Sequence, residues 1–106
     1  ERVDPKKTYA GSQLSGRIDA ILRQVALSGS ADIDPVQTRE GEIFNDHNLR
    51  IRLNRISIAQ LIKLNKLLSQ ETPYINIQSV SVTKNRRNPE ELDVRFKINS
   101  FDLKNP

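Results

Sequence analysis

The chain has 106 residues, enough for one domain with a single apolar core and no covalent staples. It has no Cys, which excludes disulfides and thiolate metal sites, and no apolar run near the roughly 18–20 residues of a membrane helix. Its net charge of +4 is uneven: residues 1–46 hold 6 Lys/Arg against 8 Asp/Glu, residues 47–106 hold 11 against 5. The basic second half leaves nucleic acid, anionic lipid or an acidic protein open as partners, besides a plain solvated surface.

Residues 1–11 are charged, lack apolar periodicity and include Pro5 and Gly11, the pattern of a flexible lead-in or the end of an upstream linker. There is no signal-peptide pattern. Because the chain starts at Glu1 and contains no Met, it is expected to be a piece of a longer protein, with any N-terminal membrane anchor outside it. A helix is predicted over residues 12–28, with Leu14, Ile18, Ile21, Leu22 and Val25 on one face, Ser12 as N-cap and Gly29 as stop. A short strand follows over residues 33–39. Asp34–Pro35 interrupts it, and Pro cannot donate to a ladder, so it belongs at a sheet edge. Residues 40–48 read as a loop in which Ile43 and Phe44 dip towards the core.

Residues 48–56 alternate, with Leu49, Ile51 and Leu53 on one face and Arg50, Arg52 and Asn54 on the other. A second helix is predicted over residues 57–70, carrying Ile58, Leu61, Ile62, Leu64, Leu67 and Leu68. Ser57 and Gln60 form a capping-box pattern at its start, and Thr72–Pro73 ends it. In the strand over residues 75–84, Ile75 and Ile77 are out of phase with Val80 and Val82, which calls for a bulge near Gln78 and Ser79. A polar hairpin loop at residues 85–91 precedes a last strand with Leu92, Val94, Phe96 and Ile98 inward and Asp93, Arg95, Lys97 and Asn99 outward.

The order helix–strand–strand thus occurs twice. Two such units close into one α+β domain: a ferredoxin-like two-layer sandwich, circularly permuted as (αββ)x2, with a four-stranded antiparallel sheet and both helices on one face. The two long strands become central neighbours, in the order third, fourth, second, first. The expected core is Leu14, Ile18, Ile21, Leu22, Val25, Leu49, Ile51, Leu53, Ile58, Leu61, Ile62, Leu68, Val80, Val82, Val94, Phe96 and Ile98. Arg50, Arg52, Arg95 and Lys97 then share the helix-free face, which the tip residues Lys84, Arg86 and Arg87 would extend.

Catalytic chemistry has little to stand on in these residues. His47, the one histidine, is placed at a loop–strand junction without an evident carboxylate to orient it, so it reads as a surface residue. The close pairs Asp32/Asp34, Glu40/Glu42 and Glu90/Glu91 fall in loops or at strand ends, where solvated charge is the plain reading. Two ligands at Asp32/Asp34 do not make a divalent-metal site. The four glycines are scattered and form no phosphate-cradling loop. No catalytic, metal or cofactor-binding residue is assigned.

RNA-binding domains of similar build stack bases on aromatics of the central strands. The outward positions here, Arg50, Arg52, Asn54, Asp93, Arg95, Lys97 and Asn99, hold none. Specific base recognition is disfavoured, and binding to phosphate or another anionic surface through the basic face stays as the alternative function.

The segment LRIRLNRISIAQLIKLNKLLSQETPYINIQSVSVTKNRRNPEELDVRFKINSFDL (residues 49–103) resembles the C-terminal periplasmic domains of the GspM/PilO family, the inner-membrane platform proteins of type II secretion and type IV pili. The likeness lies in a strand, a Leu-rich helix, an apolar pattern Ile75-x-Ile77-x-x-Val80-x-Val82 and a final alternating strand; the first unit extends it to residues 12–103. The resemblance implies a non-catalytic scaffold domain in the bacterial periplasm, anchored by an N-terminal helix in the inner membrane. It also implies homodimers, and pairing with a similar domain of a GspL/PilN-like platform protein. Apart from the resemblance, the third strand is the edge expected to engage a partner: it lacks Pro, shows Gln78, Ser79 and Ser81, and has Tyr74 beside it as an aromatic anchor.

Overall fold

A computed structural model describes residues 11–72 and 74–103. The expected lead-in, except Gly11, and the tail at residues 104–106 lie outside the described residues, as does Pro73. The elements run α1 (Gly11–Gln24), β1 (Ala31–Ile33), β2 (Gln37–Glu40), β3 (Phe44–Ile56), α2 (Ile58–Ser69), β4 (Ile75–Lys84) and β5 (Leu92–Leu103). All strand pairs are antiparallel, in the order β1–β3–β5–β4, with β2 pairing β3 on the side of β1. The fold is the α+β ferredoxin-like sandwich read from the sequence, in the predicted strand order. It differs in having five strands: around Asp34–Pro35, where Pro has no N–H to donate, the expected first strand separates into β1 and β2.

The central pair makes the core. Leu49 lies opposite Ile98, Ile51 opposite Phe96 and Leu53 opposite Val94, all buried. Above them pack Leu14, Ile18, Ile21 and Leu22 of α1 and Leu64 and Leu68 of α2. Leu27, Ile56, Leu64 and Ile75 are also buried, although the expected core omits them; Val25 and Leu61 sit at its margin.

Four expected core residues are exposed: Ile58 (65%), Ile62 (62%), Val80 (43%) and Val82 (46%). On α2 the buried residues are Leu64 and Leu68, and Ile58 and Ile62 lie to one side of that line, about 100° and about 140° round the helix. The helix carries more apolar residues than one buried face can hold. Val80 and Val82 pair with Phe96 and Val94, so they do point to the helix side. The expected bulge is present, as a register shift between Ile77 and Ser79. Burial along β4 stops there, because a bulge bends its strand and increases local twist, carrying the remainder away from α2.

The ends of the elements are set by local chemistry. Ser57 accepts from the Gln60 N–H at 3.1 Å while the Gln60 side chain accepts from the Ser57 N–H at 3.0 Å, the full capping box. Helix α1 ends four residues before the predicted limit, and Ser12 stands within it rather than capping it. Ala26 adopts φ 57°, Leu27 N–H donates to Leu22 C=O at 2.9 Å and Ala26 N–H to Arg23 C=O at 3.1 Å. This is a Schellman motif whose apolar contact is Leu27 with Leu22, built without the usual glycine. Between β2 and β3, Gly41 N–H donates to Phe44 C=O at 2.8 Å, and a Cβ on Gly41 would meet that oxygen at 2.8 Å. The turn is therefore short, β3 begins at Phe44, and Ile43 (64% exposed) and Phe44 (48%) face solvent instead of dipping into the core.

Two stability measurements check this account. In urea denaturation Phe96→Ala should lose about 3–5 kcal/mol, because it empties the centre of the core, whereas Ile62→Ser should lose under about 1 kcal/mol. Ala26→Gly should gain roughly 0.5–1 kcal/mol by relieving the left-handed conformation; a loss would contradict the helix terminus described.

Candidate functional site

The register that buries the core also builds the opposite face. Arg50 lies directly opposite Lys97, and Arg52 opposite Arg95. The four cations predicted to share the helix-free face thus form a rectangle, with sides of about 5 Å across the strands and about 7 Å along them. Like charges set directly opposite destabilise a sheet. Arg52 Nη2 donates to Asp34 Oδ1 at 3.1 Å, an exposed ion pair that offsets little of this. On the β1 side Asp32 is the register partner of Arg52, and on the β4 side Ser79 and Ser81 face Lys97 and Arg95. Across the sheet the face therefore reads as an acidic column, two basic columns and a column of small hydroxyls. Two open depressions follow these columns, one lined by Asp34, Arg50, Arg52, Ser79, Arg95 and Lys97, the other reaching Asp32, Thr83 and Asp93.

Sequence reading placed no aromatic on this face. The structure adds two at its far end: Phe44 pairs with Leu103, and Phe101 with Asp46, so both rings share the face of Arg50 and Lys97. They pack edge to face on each other, 5.5 Å between centroids. Phe44 is six residues from Arg50, about 20 Å along a strand, so rings and cations do not form one base-stacking platform.

His47 is not a surface residue. It lies within β3, 4% exposed, with Nε2 against Asp102 Oδ1 and Nδ1 2.8 Å from Thr38 Oγ1. Asp102 is the orienting carboxylate that the sequence, in which it lies 55 positions after His47, did not reveal. Hydroxyl, imidazole and carboxylate in line are the groups of a nucleophile relay, but such a relay needs an open cleft for its substrate. Here both ring nitrogens are occupied, and neither depression described above is lined by His47, Thr38 or Asp102. The three side chains tie β2, β3 and β5 together. On the other face Asn99 ties β5 to β3, donating to Asp46 Oδ1 at 2.5 Å and to His47 C=O at 3.2 Å.

Two of the paired carboxylates, Asp34 and Glu91, are engaged in ion pairs. Asp34 meets Arg52, while Glu91 accepts from Arg55 Nε at 3.2 Å. Among the described residues no three His, Cys, Asp or Glu side chains gather to hold a metal ion. The tip between β4 and β5 is organised by Asn85, whose Oδ1 accepts from the N–H groups of Arg87 and Asn88 and whose Nδ2 donates to Asp93. Lys84, Arg86 and Arg87 stand exposed around it. On β4, Gln78, Ser79 and Ser81 are exposed along a strand that, among the described residues, pairs only with β5, and Tyr74, just before it, is half-buried.

Fold and surface define a ferredoxin-like domain of two helices on an antiparallel sheet, with a basic open face and, among the described residues, a long edge strand, β4, paired with β5 alone. No protein-family model matches the sequence, and no curated protein sequence matches it. Among solved structures the chain is similar to the type 4 fimbrial biogenesis protein PilO from Pseudomonas aeruginosa, with a TM-score of 0.68 over 93% of this chain and 75% of that one. Identity is 9%, so the likeness is one of fold. It coincides with the PilO-type domain that the apolar pattern of residues 49–103 resembles.

Relieving the like-charge pairs gives a direct check on the face. Arg95→Glu, opposite Arg52, should raise stability by about 0.2–1 kcal/mol at low salt, with the gain shrinking as salt is added. An unchanged or lower stability would show that the cations are already compensated.

Proposed function

We propose that this chain is the non-catalytic, periplasmic interaction domain of an inner-membrane platform protein of the type IV pilus or type II secretion kind, scaffolding assembly by pairing with itself and with a similar domain of a GspL/PilN-like partner. The observation that carries the reading is the fold shared with PilO across nearly the whole chain. The surface agrees with it in kind. Thr38, His47 and Asp102 are engaged in cross-strand hydrogen bonds, while among the described residues β4 pairs with β5 alone and its exposed stretch from Gln78 to Lys84 can take another chain. No helix of the described residues is long and apolar enough to cross a membrane, so the anchor of this reading would lie elsewhere in the protein.

Co-expression of the full-length protein with membrane proteins that carry similar domains tests the assignment, read by co-purification from detergent extracts. Capture of one such platform partner, with this domain protected from protease in intact cells and cleaved once the outer membrane is opened, is the expected result. Cytoplasmic exposure of the domain would sink the proposal. The basic face supplies the competing reading, and labelled single-stranded RNA at near-physiological salt decides it. Binding should stay within the non-specific range, about 10⁻⁴ to 10⁻⁶ M, without sequence preference. Tighter, sequence-selective binding would favour the nucleic-acid function instead.

A further inference from the structure

Seven large apolar side chains are exposed among the described residues, and they fall into two groups. Ile43, Phe44 and Leu103 lie at the end carrying the β2–β3 turn, where Phe44 is partly covered by Phe101. Ile58, Ile62, Val80 and Val82 belong to α2 and β4, two elements that pack on each other. Helix α2 joins β3 to β4, which run parallel on either side of β5, and such crossovers are right-handed. With Leu64 and Leu68 facing the sheet, that hand turns Leu67 towards α1 and turns Ile58 and Ile62 outward, over the open β4 edge. The two isoleucines and two valines therefore border one flank. Scattered single apolar residues are ordinary on a surface; four on one flank beside an unpaired strand mark an interface.

The backbone beneath them is equally unfinished. Among the described residues β4 pairs with β5 alone, so from Gln78 to Lys84 one row of its N–H and C=O groups faces outward. The opposite edge is interrupted at Pro35 and carries Asp32, Asp34, Arg39 and Glu40, features that block strand addition. Strand β4 has no Pro, and its only charge is Lys84, its last residue.

We propose that two copies of this chain join through antiparallel pairing of their β4 strands about a two-fold axis at Ser81, with Ile58 and Ile62 of the two α2 helices closing over the joined strands. A second copy fits for three reasons. The two-fold sets Val80 opposite the partner's Val82 on the helix side, an apolar cross-strand pair made twice. It sets Lys84 opposite the partner's Gln78, so the one charge of the strand meets no like charge. It also keeps both helix layers on one side of a continuous sheet. The arrangement deepens the scaffold reading by naming the surface through which the domain pairs with itself, and it rests on that reading for its purpose alone.

The absence of cysteine allows a clean test. Residues directly opposite across antiparallel strands have Cα atoms about 4.5–5.5 Å apart, within the span of a disulfide. The Ser81→Cys chain should therefore cross-link to a covalent dimer under mild oxidation, and Thr38→Cys, on the other edge, should not. In sedimentation equilibrium the unmodified chain should dimerise, with Ile62→Lys and Val82→Lys each weakening the dimer at least roughly tenfold while circular dichroism stays native. Ile43→Lys, at the other apolar end, should leave it unchanged. A chain that stays monomeric at every concentration overturns the proposal. So does a dimer that ignores both lysines, or a Ser81→Cys chain that fails to cross-link. A monomer that still captures a platform partner would overturn this interface and leave the function standing; a cross-linking dimer that captures none would do the reverse.

Discussion

Every surface of this domain depends on the pairing of β3 with β5. Their register runs unbroken from Phe44 opposite Leu103 to Leu53 opposite Val94, and side chains alternate between faces along it. The same alignment that sets Ile51 on Phe96 under the helices sets Arg52 on Arg95 outside. A slip of one residue would expose the core and bury the four cations, so the apolar burial of one face fixes the charge pattern of the other. The basic rectangle is thus inherited in part from packing, and its uncompensated repulsion is tolerated because the buried side of the rungs, at about 1.5–3 kcal/mol per large side chain, outweighs losses of a few tenths.

Period-two strands and a capped helix are written locally, which is why the sheet order, the capping box at Ser57, the bulge after Ile77 and the gathering of Arg50, Arg52, Arg95 and Lys97 were legible in the sequence. What escaped depended on distant partners or on left-handed backbone. His47 reads as a surface residue until β5 brings Asp102 beside it. The end of α1 is hidden because Ala26, not Gly29, takes the positive φ. Phe44 looks like a core residue in a loop until the Gly41 turn proves short enough to make it the first residue of β3. The apolar flank escaped for another reason. Ile58, Ile62, Val80 and Val82 have the helical and strand phases of core residues, and sequence periodicity does not distinguish a residue buried within its own chain from one left for another.

That ambiguity bears on how the sheet is covered along its length. The thirteen residues of β3 extend about 43 Å and the fourteen described residues of α1 about 21 Å. Sheet surface beyond the helices must be polar and self-satisfied, or covered by something else. At the end carrying the β2–β3 turn the surface is polar: the helix-facing positions become Asn45, His47, Ser100 and Asp102, and hydrogen bonds between Thr38 and His47 and between His47 and Asp102 knit the strands. At β4 the strand leaves the helix layer sideways, after the bulge, and its helix-facing residues stay valine. A sequence needing only solubility there could use threonine, which has the same branched shape and keeps the strand preference. Thr83 shows that the strand accepts it one position along. Retaining apolar methyls at Val80 and Val82, beside isoleucines on the adjoining helix, lowers free energy only when the flank leaves water, which is why the edge of β4 reads as an interface and the opposite edge does not.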